Sequence, residues 1–483
     1  MDEASYIIEK SRAVAALTAS SADQLGSSLE QHIRVKQKQP SFRKISIAPC
    51  LRSWHYQPRE IFTSSNWYQD DNNPAFVIFT SGTTGRPKGA IHRRGLIHEV
   101  ARSIADHYKL TEDDLLLHLL PVHHGTGAYF SFFPFLICGA CIEFRSGNFS
   151  AERTWDRWRK GGVTFFSGVP TMYVRMMRYF EAHIGNSKFA GTTAEYESAA
   201  RSIRGMLCGG STLPRPVQHF WETLRDGKRI LDRYGSTESG LVFREALDCD
   251  QSPDGTVGLL SPGVEVKFAG GGDEGELLLR SPTMFMGYVD ESHTKDYSSL
   301  ISSRYLFDEE ATKRAHDADG FYKTGDIVRR EGDYYFILGR ASVDILKSGG
   351  YKISALDIER ECLGLDYINE VMVVGVDDTE WGQRVAAVVS LRDDQKVYSY
   401  RGLNDLKELT LDQLRHDLSD KLAKYKLPTL LRVIPSELPK TPTGKVSKKL
   451  LGPVLFPPHY TGVPDVQVYA SSSGKDMAKK ARL

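Results

Sequence analysis

Cysteine is scarce: the 483 residues hold six, at positions 50, 138, 141, 208, 249 and 362. That is too few to frame a disulfide scaffold, and it fits a reducing compartment. Net charge is nearly absent too, with 62 Lys and Arg against 61 Asp and Glu. Without a basic excess, neither nucleic acid nor an anionic membrane is the expected partner. The opening MDEASYIIEKSRAVAALTAS lacks a basic start and a long apolar core, so no secretory leader is expected there. The longest stretch without Lys, Arg, Asp or Glu lies between Asp114 and Glu143. It carries His118, His123, His124, Pro121, Pro134, Gly125, Gly127 and Gly139, a density that suits buried α/β structure with a strand-end loop rather than a membrane span. Cys138 and Cys141 form a lone CxxC inside it with no second ligand pair, so a structural role is expected over a redox or metal one.

What is present is ordinary globular composition, 41% hydrophobic and 25% charged, over a length that suggests more than one domain. Glycine-bounded apolar runs alternate with helical patterns, as in α/β architecture. Strands are expected at 75–79, 163–167, 275–280, 333–338, 370–376 and 384–391. A helix is expected over 411–427, where Leu411, Leu414, Leu418, Leu422 and Tyr425 recur at helical spacing, Thr410 and Gln413 form a capping-box pattern and Pro428 follows. The domain boundary is expected near LGRASVD, at 338–344. The end, SSSGKDMAKKARL, is small, polar and basic and reads as a flexible tail.

Chemistry concentrates first at residues 79–90, FTSGTTGRPKGA, which follow the apolar run Phe76-Val77-Ile78-Phe79. An NTPase phosphate loop requires G-x-x-x-x-G-K-[ST]; here Pro87 precedes Lys88 and Gly89 follows it, so that pattern fails. The ingredients still suit a loop that wraps phosphates: glycines for close backbone approach, hydroxyl donors, and one lysine charge. The bland alternative is a glycine-rich surface turn.

TSGTTGRPKG resembles the phosphate-loop motif of the adenylate-forming superfamily of acyl-CoA synthetases, adenylation domains and luciferases. Four further motifs follow in that family's order: GGSTLP at 209–214, RYGSTESG at 233–240, YKTGD at 322–326 with LGRASVDILKSGGYKIS at 338–354, and PKTPTGKVSKKLL at 439–451. The resemblance covers about residues 5 to 451. It implies a large N-terminal α/β domain of several subdomains, two sheets flanked by helices plus a small β-barrel, over 1–340. A smaller mobile α+β lid domain would cover 341–452, with a flexible tail over 453–483. The implied chemistry is attack of a carboxylate on the α-phosphate of ATP, release of pyrophosphate, and displacement of AMP from the acyl-adenylate by a thiol, helped mainly by charge neutralisation and positioning.

By the same resemblance each residue receives a role. Thr80, Ser81, Gly82, Thr83, Thr84, Gly85 and Lys88 would hold the leaving pyrophosphate. Tyr234 would stack on adenine, with Gly209, Gly210 and Ser211 at its edge and Gly235 beside it. Thr237 would bond the α-phosphate, and Glu238 would ligate Mg²⁺. YGSTES taken alone also reads as a capped helix start. Asp326 would accept both ribose hydroxyls, or else is a turn aspartate, and Arg340 would add donors, or else is a surface arginine. Lys445 would be the catalytic lysine, delivered by domain closure; among Lys440, Lys448 and Lys449 it would otherwise belong to a solvated basic face. The lid would turn near Ser342, and Gly349, Gly350 and Tyr351 would line the thiol's tunnel.

For the acid, Arg233 resembles the arginine of the RYGxTE pattern in malonyl-CoA synthetases, where it would face a second carboxylate; the alternative is pairing with Asp232 or Glu238. Against malonate, PVHHGTG keeps His124 as the acyl-pocket gate but places Thr126 where that branch has a second histidine. Phe130, Phe132, Phe133 and Phe135 are candidates for an apolar acyl or aryl pocket, or plain core. A short dicarboxylic acid therefore leads, with a medium-chain fatty or aryl acid of a secondary-metabolite pathway as the alternative. CoA is the expected thiol, with a carrier protein in trans as the other choice. Ala481-Arg482-Leu483 resembles a peroxisomal address, with the cytoplasm as the alternative. The glycine-rich loop starts at residue 80, earlier than in the family, so an N-terminally shortened chain is expected, and a homologue that binds nucleotide without turnover is the competing reading.

Overall fold

The computed structural model describes residues 2–11, 13–36, 41–47, 71–80, 88–145, 147, 149–185, 190–210, 213–248, 252–289, 307–392, 409–440, 446–458, 460–463 and 465–469. Ser81, Gly82, Thr83, Thr84 and Gly85 of the glycine-rich loop, Ser211, Lys445 and the Ala481-Arg482-Leu483 address lie outside the described residues. All six expected strands are found, with ends moved by at most two residues.

The largest sheet has seven strands, in the order Leu259–Leu260, Gly240–Arg244, Ile230–Ser236, Gly205–Cys208, Phe165–Gly168, Leu115–His118, Cys141–Phe144. From Ile230–Ser236 to Cys141–Phe144 its neighbours run parallel. Buried parallel strands read as continuous apolar runs, as in LLLH and GMLC here. Helices Ala151–Arg159, Pro170–Tyr179 and Arg215–Leu224 help cover this sheet around Trp155, Trp158 and Trp221. Trp155 and Trp221 stack at 5.5 Å and are fully buried, and truncating either to alanine should cost about 3–5 kcal/mol. Two four-stranded antiparallel sheets complete this part of the chain. One joins Glu265–Phe268, Glu274–Arg280, Tyr322–Glu331 and Tyr334–Arg340. The other joins Phe307–Asp308, Gly287–Val289, Lys88–Arg93 and Pro74–Thr80.

After Arg340 the chain turns and builds its own sheet from Ile345–Ser348, Tyr351–Ser354, Ile368–Asp378, Gly382–Leu391, Leu430–Ile434 and Val466–Val468. Its core gathers Ile353, Ile358, Val373, Val389, Leu414 and Leu418. It meets helix Pro170–Tyr179 through Arg178, whose Nη2 donates to the Asn369 carbonyl at 2.5 Å and whose Nη1 meets the Asn369 side chain. Among the described residues, no helix is long and apolar enough to cross a membrane, and no cluster of His, Cys, Asp or Glu is built to hold a metal.

Two expectations are corrected. The helix expected over 411–427 spans only Leu411–Leu418. The Thr410 cap forms, accepting from Gln413 N at 3.2 Å, but the Gln413 side chain turns to Asp417 rather than closing the capping box. Ser419 then donates to the His416 carbonyl, and a turn follows. Leu422 keeps the buried, helix-like position through that turn, so apolar spacing outlasts the helix. The tail expected from 453 is packed as far as 469. Phe456, Tyr460 and Val466 bury themselves against Met372 and Val374, and Val466–Val468 pairs with Leu430–Ile434.

Candidate active site

Thr80 and Lys88 face each other as the last register pair of two antiparallel strands, on either side of the glycine-rich segment. Thr80 Oγ1 donates to the Lys88 carbonyl at 3.3 Å. The Lys88 ammonium lies 5.0 Å from the centre of the Tyr288 ring, within cation–π range. The Tyr288 hydroxyl donates to Glu238 Oε1 at 3.1 Å, and Phe285 N donates to the Glu238 carbonyl at 2.7 Å. Tyr288 thus connects the lysine of one motif with the carboxylate of another. Sequence reasoning missed it, since a lone tyrosine in MFMGYVD carries no pattern of its own.

YGSTES is not a helix start. It is the tight turn between Ile230–Ser236 and Gly240–Arg244. Ser236 and Ser239 close it, each backbone N–H donating to the other's hydroxyl, at 3.2 and 3.1 Å. A Cβ on Gly235 would come within 2.3 Å of the Gly240 carbonyl, so the turn admits only glycine there. Thr237, largely buried, is thereby presented to Gly125, whose added Cβ would sit 3.3 Å from Thr237 Oγ1. His124 caps the short helix Gly125–Gly127, its Nδ1 accepting from Thr126 N at 3.4 Å. The histidine segment and the Thr237 turn are therefore in contact.

Tyr234, Asp326 and Arg340 come together. The Tyr234 hydroxyl donates to Asp326 Oδ2 at 2.7 Å, and Arg340 Nε donates to Asp326 Oδ1 at 2.8 Å. Asp326 is buried and doubly engaged, not a free turn aspartate, and Arg340, whose side chain is 37% exposed, is tied to it. Burial works against the Arg340 charge, but the Asp326 carboxylate outweighs it and holds the guanidinium above its ordinary pKa. The Tyr234 ring stacks on Phe243, which stacks on Tyr335 at 4.1 Å, so its orientation is set from beneath. Gly209 and Gly210 leave the end of strand Gly205–Cys208 beside this group, and a Cβ on Gly209 would lie 3.3 Å from the Arg233 carbonyl.

Arg233 is buried, and its guanidinium meets neutral partners: the Phe130 carbonyl at 2.8 Å, Ser167 Oγ at 2.8 Å and Ser131 Oγ at 3.4 Å. Among the described residues it has no carboxylate within ion-pair distance, and its Nε has no partner. The expected alternative of pairing with Asp232 or Glu238 does not occur. Strand alternation sends the Asp232 side chain to the opposite face, and its backbone N–H donates to Glu245 Oε2 at 2.7 Å. Burial pulls the Arg233 pKa down. A charge held among carbonyl and hydroxyl oxygens alone is costly unless an anion joins it. Ser131 and Ser167 were also missed, because isolated serines give no signal before the fold brings them together. Of the four phenylalanines, Phe130 and Phe135 are core, whereas Phe132 and Phe133 are half-buried.

Gly349 and Gly350 form the turn between Ile345–Ser348 and Tyr351–Ser354, where Tyr351 stacks on Tyr425 at 4.4 Å. Among the described residues, no hydrogen bond or ion pair joins them to the Tyr234 group. Cys138 and Cys141 are free thiols.

Residues 1–289 match the AMP-binding enzyme family, and residues 357–445 match the AMP-binding enzyme C-terminal domain. The chain belongs to the AMP-binding enzyme family. It is 38% identical over 419 residues to a probable CoA ligase, CCL8, of Humulus lupulus, covering 82% of this chain and 64% of the relative. It is 37% identical over 410 residues to a malonate–CoA ligase of Arabidopsis thaliana, covering 80% and 63%. The chain thus spans less than two thirds of the length of these relatives. The fold is that of ATP-bound MatB from Rhodopseudomonas palustris, with a TM-score of 0.71 at 24% identity over 93% of this chain and 80% of that one. As in other AMP-binding enzymes, a large α/β part precedes a smaller one. The grouping of Arg233, Tyr234, Thr237, Glu238, Asp326 and Arg340 gives that family frame a specific geometry.

Proposed function

We propose that this chain activates a carboxylic acid with ATP and transfers the acyl group to CoA, with a short dicarboxylic acid such as malonate as its preferred substrate. The carrying observation is Arg233, a buried guanidinium with neutral partners only. A second carboxylate on the acid would complete its coordination and place the first carboxylate toward Thr237 and the α-phosphate. The names of the relatives, CoA ligases with malonate among their substrates, support CoA over a carrier protein as the thiol.

In this reading ATP lies between the Tyr234 ring and the glycine-rich segment at 80–88. Asp326 exchanges its internal partners for the ribose hydroxyls, Thr237 donates to the α-phosphate, and Lys88 with the loop glycines and hydroxyls takes the pyrophosphate. Lys445 bridges the acid and the α-phosphate, His124 gates the acyl pocket, and the Gly349–Tyr351 turn admits the pantetheine arm. Glu238 suits Mg²⁺, which takes few protein oxygens and completes its shell with water and phosphate; bound there it would neutralise phosphate charge. We place the boundary at 340/341, with the small domain extending through residue 469. A medium-chain or aryl acid is the second reading, favoured by the half-buried Phe132 and Phe133 and by Thr126.

The test is pyrophosphate release with ATP, Mg²⁺ and CoA across malonate, methylmalonate, medium-chain and aryl acids. Malonate-selective turnover is expected. Preference for an apolar acid would transfer the assignment to the phenylalanine segment, and no turnover by a folded chain that binds ATP would favour the homologue without activity.

A further inference from the structure

Lys448 opens the helix Lys448–Leu455, three residues after Lys445. It does not stand on a solvated basic face: its side chain is 11% exposed, and its Nζ lies 2.6 Å from Asp344 Oδ1 and 2.8 Å from Glu359 Oε1. Burial works against its charge, and the two carboxylates outweigh burial, so its pKa is raised. Glu359 belongs to helix Ala355–Cys362 and also accepts from Val373 N at 2.6 Å. Asp344 lies four residues beyond Arg340. Its Oδ2 accepts from Arg340 N at 3.0 Å, and its own N–H donates to the Arg340 carbonyl at 2.8 Å. The fit is close, since a Cβ on Gly339 would meet Asp344 Cβ at 2.5 Å. One ammonium therefore holds two carboxylates together, and Asp344 meets both backbone groups of the arginine that engages Asp326, the N–H through its carboxylate and the carbonyl through its own N–H.

We propose that Lys448 is a positioning residue for nucleotide binding: through Asp344 it fixes the Arg340 backbone, and with it the guanidinium that engages Asp326. This rests on the reading of Asp326 and Arg340 as part of the nucleotide site. Without the ammonium, Asp344 and Glu359 repel each other at short range. Asp344 then leaves the Arg340 N–H, and the aim of the guanidinium is lost while the contacts that build the core stay in place.

The test measures ATP affinity by calorimetry, with Mg²⁺, on the full chain and its Lys448→Met, Lys448→Arg, Arg340→Ala and Lys448→Met/Arg340→Ala variants. Lys448→Met should weaken ATP binding about tenfold, the scale of a lost charge-assisted contact, and Lys448→Arg should restore most of it. The double variant should bind no worse than Arg340→Ala alone, because one chain of contacts is being broken twice. A general structural role would instead multiply the two losses, and that result overturns the proposal. So does unchanged affinity in a folded Lys448→Met chain. If Lys448→Met does not melt cooperatively, the Lys448→Met/Glu359→Met variant removes the repulsion and is compared with Glu359→Met alone. With no repulsion left, equal affinities are expected there, and a further tenfold loss from Lys448→Met in that background would overturn the proposal. No ATP binding by the unmodified chain would be a different failure, that of the nucleotide site itself.

Discussion

Arg233 and Arg340, both in the candidate site, are held in opposite ways. Arg340 has its counter-charge built in, with Asp326 at 2.8 Å. Arg233 is more deeply buried and is given oxygen acceptors but no carboxylate among the described residues. A paired cation is a structural device that a ligand rearranges. An unpaired one in the interior marks a place where the ligand is expected to bring the charge. On the proposed function, the same contrast separates two kinds of substrate recognition, Arg340 for the nucleotide and Arg233 for the acid.

The largest effect expected from breaking this contrast is at Arg233. Arg233→Met should lower kcat/KM for malonate about 100-fold, in the range for losing one side of a buried charge pair, and affect monocarboxylates far less. Equal losses on both acid classes would remove the distinction between the two arginines. Asp326→Asn should weaken ATP about tenfold, the scale of hydrogen bonds to a charged group, and do so equally with either acid. A loss that depended on the acid would mean that the ribose and acid sites are not separate. Tyr288→Phe removes one hydroxyl from Glu238 and should slow pyrophosphate release about threefold to tenfold, with the loss reduced at high Mg²⁺. An effect insensitive to Mg²⁺ would take Tyr288 out of the phosphate region.

The smallest effect lies on the far face of the Arg233 strand. Burial, and then the Glu245 carboxylate, push Asp232 up to about 8; burial pushes Glu245 up to about 7. Both stand above their ordinary carboxylate values, so the folded chain binds more protons than the unfolded one across that interval. Their contribution to stability is complete in acid and is lost as pH rises through about 7 to 8. His92 and His118, lowered by burial to about 4, act oppositely, adding stability as pH rises from about 4 to 6.5. The melting temperature should therefore fall by a few degrees between pH 6.5 and pH 8.5, where the acid pair gives the main dependence among the described residues. Asp232→Asn should flatten that fall. A wild-type melting temperature that rose over the same interval would contradict the sign.

Much of the site was legible in the sequence because it is local. The glycine-rich loop, the RYGSTESG turn and the YKTGD strand each declare themselves within a dozen residues, and with GGSTLP and PKTPTGKVSKKLL they make five motifs whose order identifies the family. What was not legible depends on partners distant along the chain. Lys448 meets Asp344 across 104 positions, and Arg233 meets Ser167 across 66. Tyr288 reaches Glu238 across 50, and no residue type announces such a meeting. The helix ending at Leu418 shows the reverse limit: leucine spacing recorded which side chains face the core, and continued past the point where short polar residues turned the backbone. The packed segment through 469 was hidden because its prolines, at 453, 457, 458 and 464, break any helix or strand period around its anchors Phe456, Tyr460 and Val466.

The most direct test of the central claim is acid-dependent exchange of labelled pyrophosphate into ATP by the unmodified chain and by Arg233→Met, with malonate and a medium-chain acid side by side. The account predicts brisk exchange with malonate, weak exchange with the monocarboxylate, and a loss in the variant confined to malonate. Exchange that was equal for the two acids and insensitive to Arg233 would contradict it.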